Sequence, residues 1–222
     1  MPNLPWSDID TLLLDMDGTL LDLHFDNHFW LEHLPFCFAQ KHTISVAQAK
    51  SIIEPKLAKY QGQLLWYCID FWTAQLGLPI MQMKQDTAHL IALRPAVKDF
   101  LKQLRAAGKQ LILATNAHPD ALRLKLDKTG IAPLLDRIIS SHQYGYAKEQ
   151  QDFWHLLQAQ TQFNPKRSLL LDDSLSVLHS AHSYGIAHTW AISQPDSQQM
   201  VRTIKTFPSV NNLQSLLCNL VR

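Results

Sequence analysis

A run of three leucines followed by two acids constrains the fold of this chain more than any other feature. Leu12, Leu13 and Leu14 precede Asp15 and Asp17 in the stretch LLLDMDGTL. A strand that is buried on both faces of a parallel sheet carries such a continuous apolar run. We therefore expect a buried strand whose carboxyl end presents both acids, at the edge where open α/β sheets bind ligands.

Two carboxylates so close together repel each other, which raises their pKa values unless a cation lies between them. Mg²⁺ prefers oxygen ligands of this kind, above all where a phosphate also takes part. A simpler structure fits the same residues, namely a strand followed by an acidic turn in which an aspartate caps the next helix. This stretch alone does not decide between a metal site and a helix cap.

The overall composition is that of an ordered globular protein of nearly balanced charge. Hydrophobic residues make up 46% of the 222 positions, which is enough for one sizeable core and a smaller accessory domain. The 20 basic and 19 acidic residues leave a net charge of +1, which gives no sign of a nucleic-acid or membrane-surface partner.

Cysteines and histidines give no sign of a disulfide framework or a zinc site. The three cysteines form no CxxC pair and favour a reducing compartment, and the 11 histidines are scattered without an HExxH pair. No signal peptide is visible, and no apolar window approaches the ~18 residues of a membrane span. We expect a cytoplasmic protein.

Two kinds of pattern divide the chain. Residues 22–93 carry amphipathic helical runs rich in aromatic residues, with no strand signal, whereas residues from 94 onward alternate apolar strands with helices. We expect an α/β fold with a doubly wound parallel sheet formed by residues 1–21 and 94–222, and an inserted all-helical cap domain over residues 22–93. Further strands are predicted at 111–114, 137–140, 168–171 and 187–192, and an amphipathic helix at 213–220.

Polar side chains follow three of the predicted strands, and a lysine follows in a loop. Because parallel strands end at the same edge of a sheet, these groups are expected to converge. A single acidic turn is common, but four convergent polar groups favour a functional site. They are Asp15 and Asp17, Thr115 and Asn116, Asp172 and Asp173, and Lys148 in the loop GYAK.

The order of these motifs resembles that of the haloacid dehalogenase superfamily of phosphotransferases. DxDGT after a strand, a strand-terminal threonine, a loop lysine and a strand-terminal DD pair occur in sequence from about residue 12 to residue 192. In that family the segment between the first and second motifs is a helical cap. More narrowly, LLLDMDGTLLDLHFDNHFW, LLWYCIDFW, ATNAHP, YGYAKE and LLLDDS resemble the GMP/IMP nucleotidases of this superfamily.

The resemblance implies a magnesium-dependent reaction at the first and last motifs. Asp15 would be the nucleophile that forms an aspartyl phosphate, and Asp17 would protonate the leaving oxygen and later deprotonate the attacking water. Mg²⁺ would bind to Asp15, to the backbone carbonyl of Asp17 and, as first choice, to Asp173. Asp172 would support this site or alternate with Asp173. An acid at Asp17 fits a phosphatase or phosphomutase.

The resemblance also implies a phosphate-binding set formed by Gly18, Thr115, Asn116 and Lys148, in which the lysine neutralises charge on nucleophile and phosphate. Two simpler interpretations stay open. Thr115 and Asn116 also suit a helix cap, and Lys148 also suits a solvated surface, since Glu149 follows it where the family commonly has proline.

The predicted function is hydrolysis of a small phosphomonoester with Mg²⁺, and a purine 5′-monophosphate such as GMP or IMP is favoured. Alternatives are another small metabolite such as phosphoglycolate or a sugar phosphate, or an inactive member that serves as a binding module. Trp66, Tyr67, Phe71 and Trp72 are candidates for stacking on a base. The spacing of Leu65, Ile69 and Trp72 is more typical of a buried helical stripe.

Overall fold

A parallel sheet forms the frame of the molecule in the computed structural model, which describes residues 4–220. Within these residues six strands pair in the order β3-β2-β1-β4-β5-β6, and every pair is parallel. The strands are β1 (Thr11–Leu14), β2 (Gln110–Thr115), β3 (Arg137–Ser140), β4 (Ser168–Asp172), β5 (His188–Ile192) and β6 (Ser209–Val210). The predicted α/β class and parallel sheet are confirmed.

A helical block separates β1 from β2. It consists of α1 (His24–His28), α2 (Leu34–His42), α3 (Val46–Tyr60), α4 (Ile69–Leu76) and α5 (Ile80–Asp86), with 3₁₀ turns at Leu64–Tyr67 and Ala88–Leu90. A π-helical turn at Phe29–His33 joins α1 to α2 without a break. The block has its own core, in which Phe29, Ile53 and Trp72 are buried. The division of the chain into two domains at residues 22 and 93 stays a prediction.

Four helices cover the two faces of the sheet. They are α6 (Val97–Ala106), α7 (Pro119–Thr129), α8 (Gln151–Thr161) and α9 (Leu175–Tyr184). Leu12 and Leu14 of β1 contribute to one buried cluster with α6, and Leu13 contributes to the opposite cluster with α8 and α9. The leucine run is therefore buried on both faces of the sheet, as predicted for a doubly wound fold.

Two sequence-based expectations about local structure are wrong. The predicted amphipathic helix at the C-terminal end is a 3₁₀ segment, Leu213–Asn219, in which Leu213 and Leu216 are buried at the three-residue spacing that a 3₁₀ turn brings to one side. Leu65 does not belong to a buried stripe, because it lies in a 3₁₀ turn and is 41% exposed, whereas Ile69 and Trp72 are buried. In the part of the chain from residue 4 to residue 220, no helix has the length and apolar character needed to cross a membrane.

Candidate active site

The first motif lies directly beyond β1, at the centre of the sheet. Asp15 is buried, and its backbone N–H donates to the carbonyl of Leu171 in the neighbouring strand β4. Gly18 has a φ of +87°, and a Cβ at this position would lie 2.8 Å from Cγ of Asp173. The turn after β1 therefore requires glycine, both for its backbone conformation and for the close approach of the last motif.

Lys148 forms ion pairs with acids from two different strands. Its Nζ lies 2.5 Å from Oδ1 of Asp15 and 2.7 Å from Oδ2 of Asp172, and all three side chains are buried. The two acids raise the pKa of Lys148 despite its burial. The alternative of a solvated surface lysine is therefore wrong.

Three carboxylates converge beside this lysine. Oxygens of Asp15, Asp172 and Asp173 lie within 4.8 Å of one another. Both oxygens of Asp172 are engaged, since Oδ2 contacts Lys148 and Oδ1 accepts the N–H of Ser174. Oδ2 of Asp15 is buried and, within the described residues, accepts no hydrogen bond. The three carboxylates offer oxygen ligands, excess negative charge and an unsatisfied acceptor. They therefore suit a hard divalent cation.

The three carboxylates of the cluster repel one another, which affects their pKa values. Burial raises the pKa of Asp15 to about 6, an effect that Lys148 counteracts and Asp172 reinforces. Burial and the neighbouring Asp172 and Asp15 raise the pKa of Asp173 well above its usual range. A bound divalent cation would reverse these shifts by stabilising the ionised carboxylates.

Thr115 and Asn116 follow β2 at the same edge of the sheet, and both are buried. Oγ1 of Thr115 accepts the N–H of Ala117 at 3.1 Å, which is a local turn contact rather than a cap of α7. The amide of Asn116 holds the lysine loop, because Oδ1 accepts the N–H of Lys148 and Nδ2 donates to Glu149. His118 provides the N-terminal cap of α7 instead.

Sequence reasoning missed a second chain of buried charges next to Asp17. Nζ of Lys125 lies 2.7 Å from Oδ1 of Asp17 and 2.6 Å from Oδ2 of Asp26, and Nζ of Lys84 lies 2.9 Å from Oδ1 of Asp26. Lys84 and Lys125 are only 3% and 2% exposed. Burial raises the pKa of Asp17 to about 6, against the effect of Lys125.

A second contact between the helical block and the sheet involves Tyr67. Its hydroxyl donates to Oε1 of Glu149 at 2.8 Å, while Nδ2 of Asn116 donates to Oε2 of the same carboxylate at 3.0 Å. Burial and the charge of Glu149 raise the pKa of Tyr67, so the phenol stays protonated as a donor. Glu149, which follows Lys148 where the family commonly has proline, thus links the helical block to the loop of Lys148.

These groups surround a cavity of about 300 Å³ between the helical block and the sheet edge. Its polar lining residues include Asp15, Asp17, Asp173, Thr115 and Lys148, and its largely apolar lining residues include Trp30, Leu31, Trp66, Tyr67 and Ile69. Of the four aromatic residues singled out in the sequence, Phe71 and Trp72 do not line the cavity. They pack in the core of the block.

A family model described as haloacid dehalogenase-like hydrolase matches residues 9–185. The chain belongs to this family. The GMP/IMP nucleotidases YrfG of Escherichia coli (strain K12) and of Shigella flexneri are each 40% identical to this HAD-like hydrolase over 219 residues, which covers 99% of both chains. The family resemblance predicted from the motifs, the narrower likeness to GMP/IMP nucleotidases and the prediction of an enzyme are confirmed.

Solved structures of the family share the fold of this HAD-like hydrolase. An HAD phosphatase from Thermococcus onnurineus has a TM-score of 0.78 at 20% identity, covering 94% of this chain and 96% of that one. The HAD hydrolase YfnB of Bacillus subtilis, bound to magnesium, has a TM-score of 0.67 at 20% identity, covering 96% of this chain and 98% of that one. At these identities the likeness establishes the fold.

Proposed function

We propose that this HAD-like hydrolase is a magnesium-dependent phosphomonoesterase that acts on purine nucleoside 5′-monophosphates. One observation carries the phosphatase part, namely the buried Asp15 carboxylate. Among residues 4–220 one of its oxygens accepts no hydrogen bond, and the other contacts Lys148. The purine part is supported by the 40% identity to the GMP/IMP nucleotidases YrfG and by the aromatic walls of the cavity.

In the first step an oxygen of Asp15 attacks phosphorus and the ester P–O bond breaks. Asp17 donates its proton to the leaving oxygen, and Lys148 balances the negative charge that gathers on the phosphoryl group. Thr115 and the backbone of Asn116 hold phosphoryl oxygens. The products of this step are the free alcohol and an aspartyl phosphate on Asp15.

In the second step a water attacks the aspartyl phosphate, Asp17 takes its proton, and the bond between Asp15 and phosphorus breaks. Phosphate leaves and both carboxyls return to their first state. The pKa of Asp17, raised to about 6, suits a group that donates a proton in one step and accepts one in the next.

Mg²⁺ would be held by Asp15, the backbone carbonyl of Asp17 and Asp173. Asp173 is preferred to Asp172 as the direct ligand because both oxygens of Asp172 already accept hydrogen bonds, from Lys148 and from the N–H of Ser174. When bound, the ion supplies charge stabilisation for the attacking carboxylate and the phosphoryl oxygens.

Residues 22–93 would act as a cap that encloses the substrate and excludes water. The apolar part of the cavity includes Trp30 and Trp66, and flat indole rings are suitable partners for a purine base. Cys37, Cys68 and Cys218 are all unpaired, which supports a location in the reducing cytoplasm.

The test is phosphate release from a panel containing GMP, IMP, pyrimidine monophosphates, phosphoglycolate and sugar phosphates, with Mg²⁺ and with EDTA. We expect GMP and IMP to give the highest kcat/KM, EDTA to abolish turnover, and Asp15→Asn to be inactive. Higher kcat/KM for a sugar phosphate or phosphoglycolate would overturn the purine assignment alone. Full activity of Asp15→Asn would overturn the mechanism.

A further inference from the structure

Cys68, His118 and His142 form a second cluster of metal-ligand types beside the cavity. Each is half-buried and offers one ligand atom, and the three atoms lie within 4.8 Å of one another. Cys68 precedes α4 in the helical block, His118 precedes α7, and His142 lies in the 3₁₀ turn Ser141–Gln143 after β3. We propose that these three residues, with Asp70, bind a borderline transition metal ion such as Zn²⁺ that joins the helical block to the sheet.

His118 presents its Nε2 to the helical block. Its Nδ1 accepts the N–H of Asp120 at 3.3 Å, and its Nε2 lies 3.6 Å from Oδ2 of Asp70 on the helical block. With Nδ1 as an acceptor, a neutral His118 ring carries its proton on Nε2. Metal binding at Nε2 therefore moves the ring proton to Nδ1, which lies 3.8 Å from Oδ2 of Asp120 as a nearby hydrogen-bond acceptor. A carboxylate behind a metal-bound histidine is a common arrangement in protein sites.

His142 and Cys68 complete the donor set. The rings of His118 and His142 meet edge to face with centroids 5.1 Å apart, and Nε2 of His142 is buried with no hydrogen-bond partner in residues 4–220. A buried nitrogen without a partner calls for an explanation, and a metal ion would provide one. Sγ of Cys68 accepts the N–H of Phe71 at the start of α4.

The donor types select a different metal from the one expected at Asp15. A thiolate, two imidazoles and one carboxylate suit tetrahedral Zn²⁺, with bond lengths of about 2.0–2.3 Å. Ligand atoms around such an ion are ~3.3–3.8 Å apart, so a contraction of ~1 Å brings the present cluster into range. Because Cys68 and Asp70 belong to the helical block and the histidines to the sheet part, the ion would fix one against the other.

The test is a titration of the purified full chain with Co²⁺, in the presence of excess Mg²⁺ to occupy the all-oxygen site. We expect one Co²⁺ per chain with a thiolate-to-cobalt charge-transfer band and the visible bands of a tetrahedral ion. Cys68→Ser should lose the charge-transfer band and bind Zn²⁺ at least ~100-fold more weakly, because one of four ligands is weakened. Cys218→Ser, which changes an exposed cysteine, should behave as the parent.

Two results would overturn the site. One is the absence of a charge-transfer band in the parent chain, and the other is a band that persists in Cys68→Ser. A persisting band would move the thiolate ligand elsewhere, for example to Cys37, whose Sγ is 3.6 Å from Nε2 of His33. Thermal unfolding provides a second measurement, since a given Zn²⁺ concentration should raise the Tm of the parent and of Cys218→Ser by the same amount and that of Cys68→Ser by clearly less. Both measurements are independent of phosphatase activity.

Discussion

The ammonium group of Lys125 lies 2.7 Å from Oδ1 of Asp17, and the lysine side chain is 2% exposed while that of Asp17 is 22% exposed. The same ammonium lies 2.6 Å from Asp26, which belongs to the helical block between β1 and β2. The proposed general acid is therefore in ionic contact with the block through one shared cation. We therefore expect Lys125 to be a positioning residue, which would act on the proposed reaction through Asp17.

Lys125→Met should lower kcat by about 10–100-fold and move the alkaline limb of the kcat/KM profile to higher pH. The reason is that Lys125 favours the charged form of Asp17, so its loss raises the pKa of Asp17 further above about 6. Loss of a buried partner also costs ~3–5 kcal/mol of stability, which urea unfolding would measure.

The pH profile separates the two effects, because a purely structural loss lowers activity by the same factor at every pH. Lys128→Met is the matched control, since Lys128 is an exposed lysine of the same helix. An unshifted alkaline limb in Lys125→Met would contradict the role assigned to Lys125.

Asp173→Asn and Asp172→Asn should differ in their effect on Mg²⁺. Asp172 uses both oxygens on Lys148 and Ser174, so we expect its variant to weaken Mg²⁺ binding by ~10-fold, as for a supporting residue. Asp173→Asn should weaken it by ~100-fold or more through loss of a direct ligand. Activity measured against Mg²⁺ concentration gives both values. The reverse order would identify Asp172 as the direct ligand.

Tyr67→Phe should raise KM about tenfold for a nucleotide substrate, because a hydrogen bond to a charged group contributes ~1.5–3 kcal/mol. The lost contact is the one that joins the helical block to Glu149 and, through Asn116, to the loop of Lys148. Steady-state kinetics would measure the change. Tyr60→Phe, in the same block, is the control and should retain the parent KM. Equal values for the two variants would show that the Tyr67 contact does not hold the block over the substrate.

Asp17→Asn should flatten the pH dependence of stability in the metal-free protein. Burial raises the pKa of Asp17 from its ordinary 3.8 to about 6, so the folded chain holds this proton more tightly than the unfolded chain. Its stabilising contribution is complete below pH 3.8 and is lost as the pH rises through about 6, by at most ~3 kcal/mol.

Urea unfolding between pH 4 and 6.5 with EDTA would measure this difference. Burial lowers the pKa of His142 to about 4, so His142 contributes to the pH dependence of stability with the opposite sign. This contribution is the same in both proteins, and subtracting one stability curve from the other removes it. Asp26, whose pKa is held low by Lys125 and Lys84 despite its burial, titrates below this window. Parallel curves for the parent and the variant would refute the shift assigned to Asp17.

The sheet and the convergence of the four motifs were predictable, because apolar runs identify buried strands and parallel strands end at one edge. The common edge of the parallel strands brings together Asp15, Thr115, Lys148 and Asp172. The sequence also carries a visible signal for the Tyr67 contact, namely Glu149 in place of the usual proline after the lysine.

The buried charge chain was not predictable from the sequence. Lys84 and Lys125 lie in amphipathic helices, where a lysine ordinarily faces solvent, and only the packing of the helical block over α7 buries them. The proximity of Cys68, His118 and His142 likewise depends on three segments that are distant along the chain. Local patterns contain no information about such contacts, since each depends on how whole elements pack.

β1 lies between β2 and β4, with Leu14 level with Leu113 on one side and Leu171 on the other. This register limits which insertions and deletions the strands can accept. Apolar residues inside the strands can be exchanged for one another, but one residue added to or removed from β4 would turn Asp172 to the opposite face of the sheet. Length variation among relatives that keep this chemistry should therefore be confined to loops at the amino ends of the strands and within the helical block.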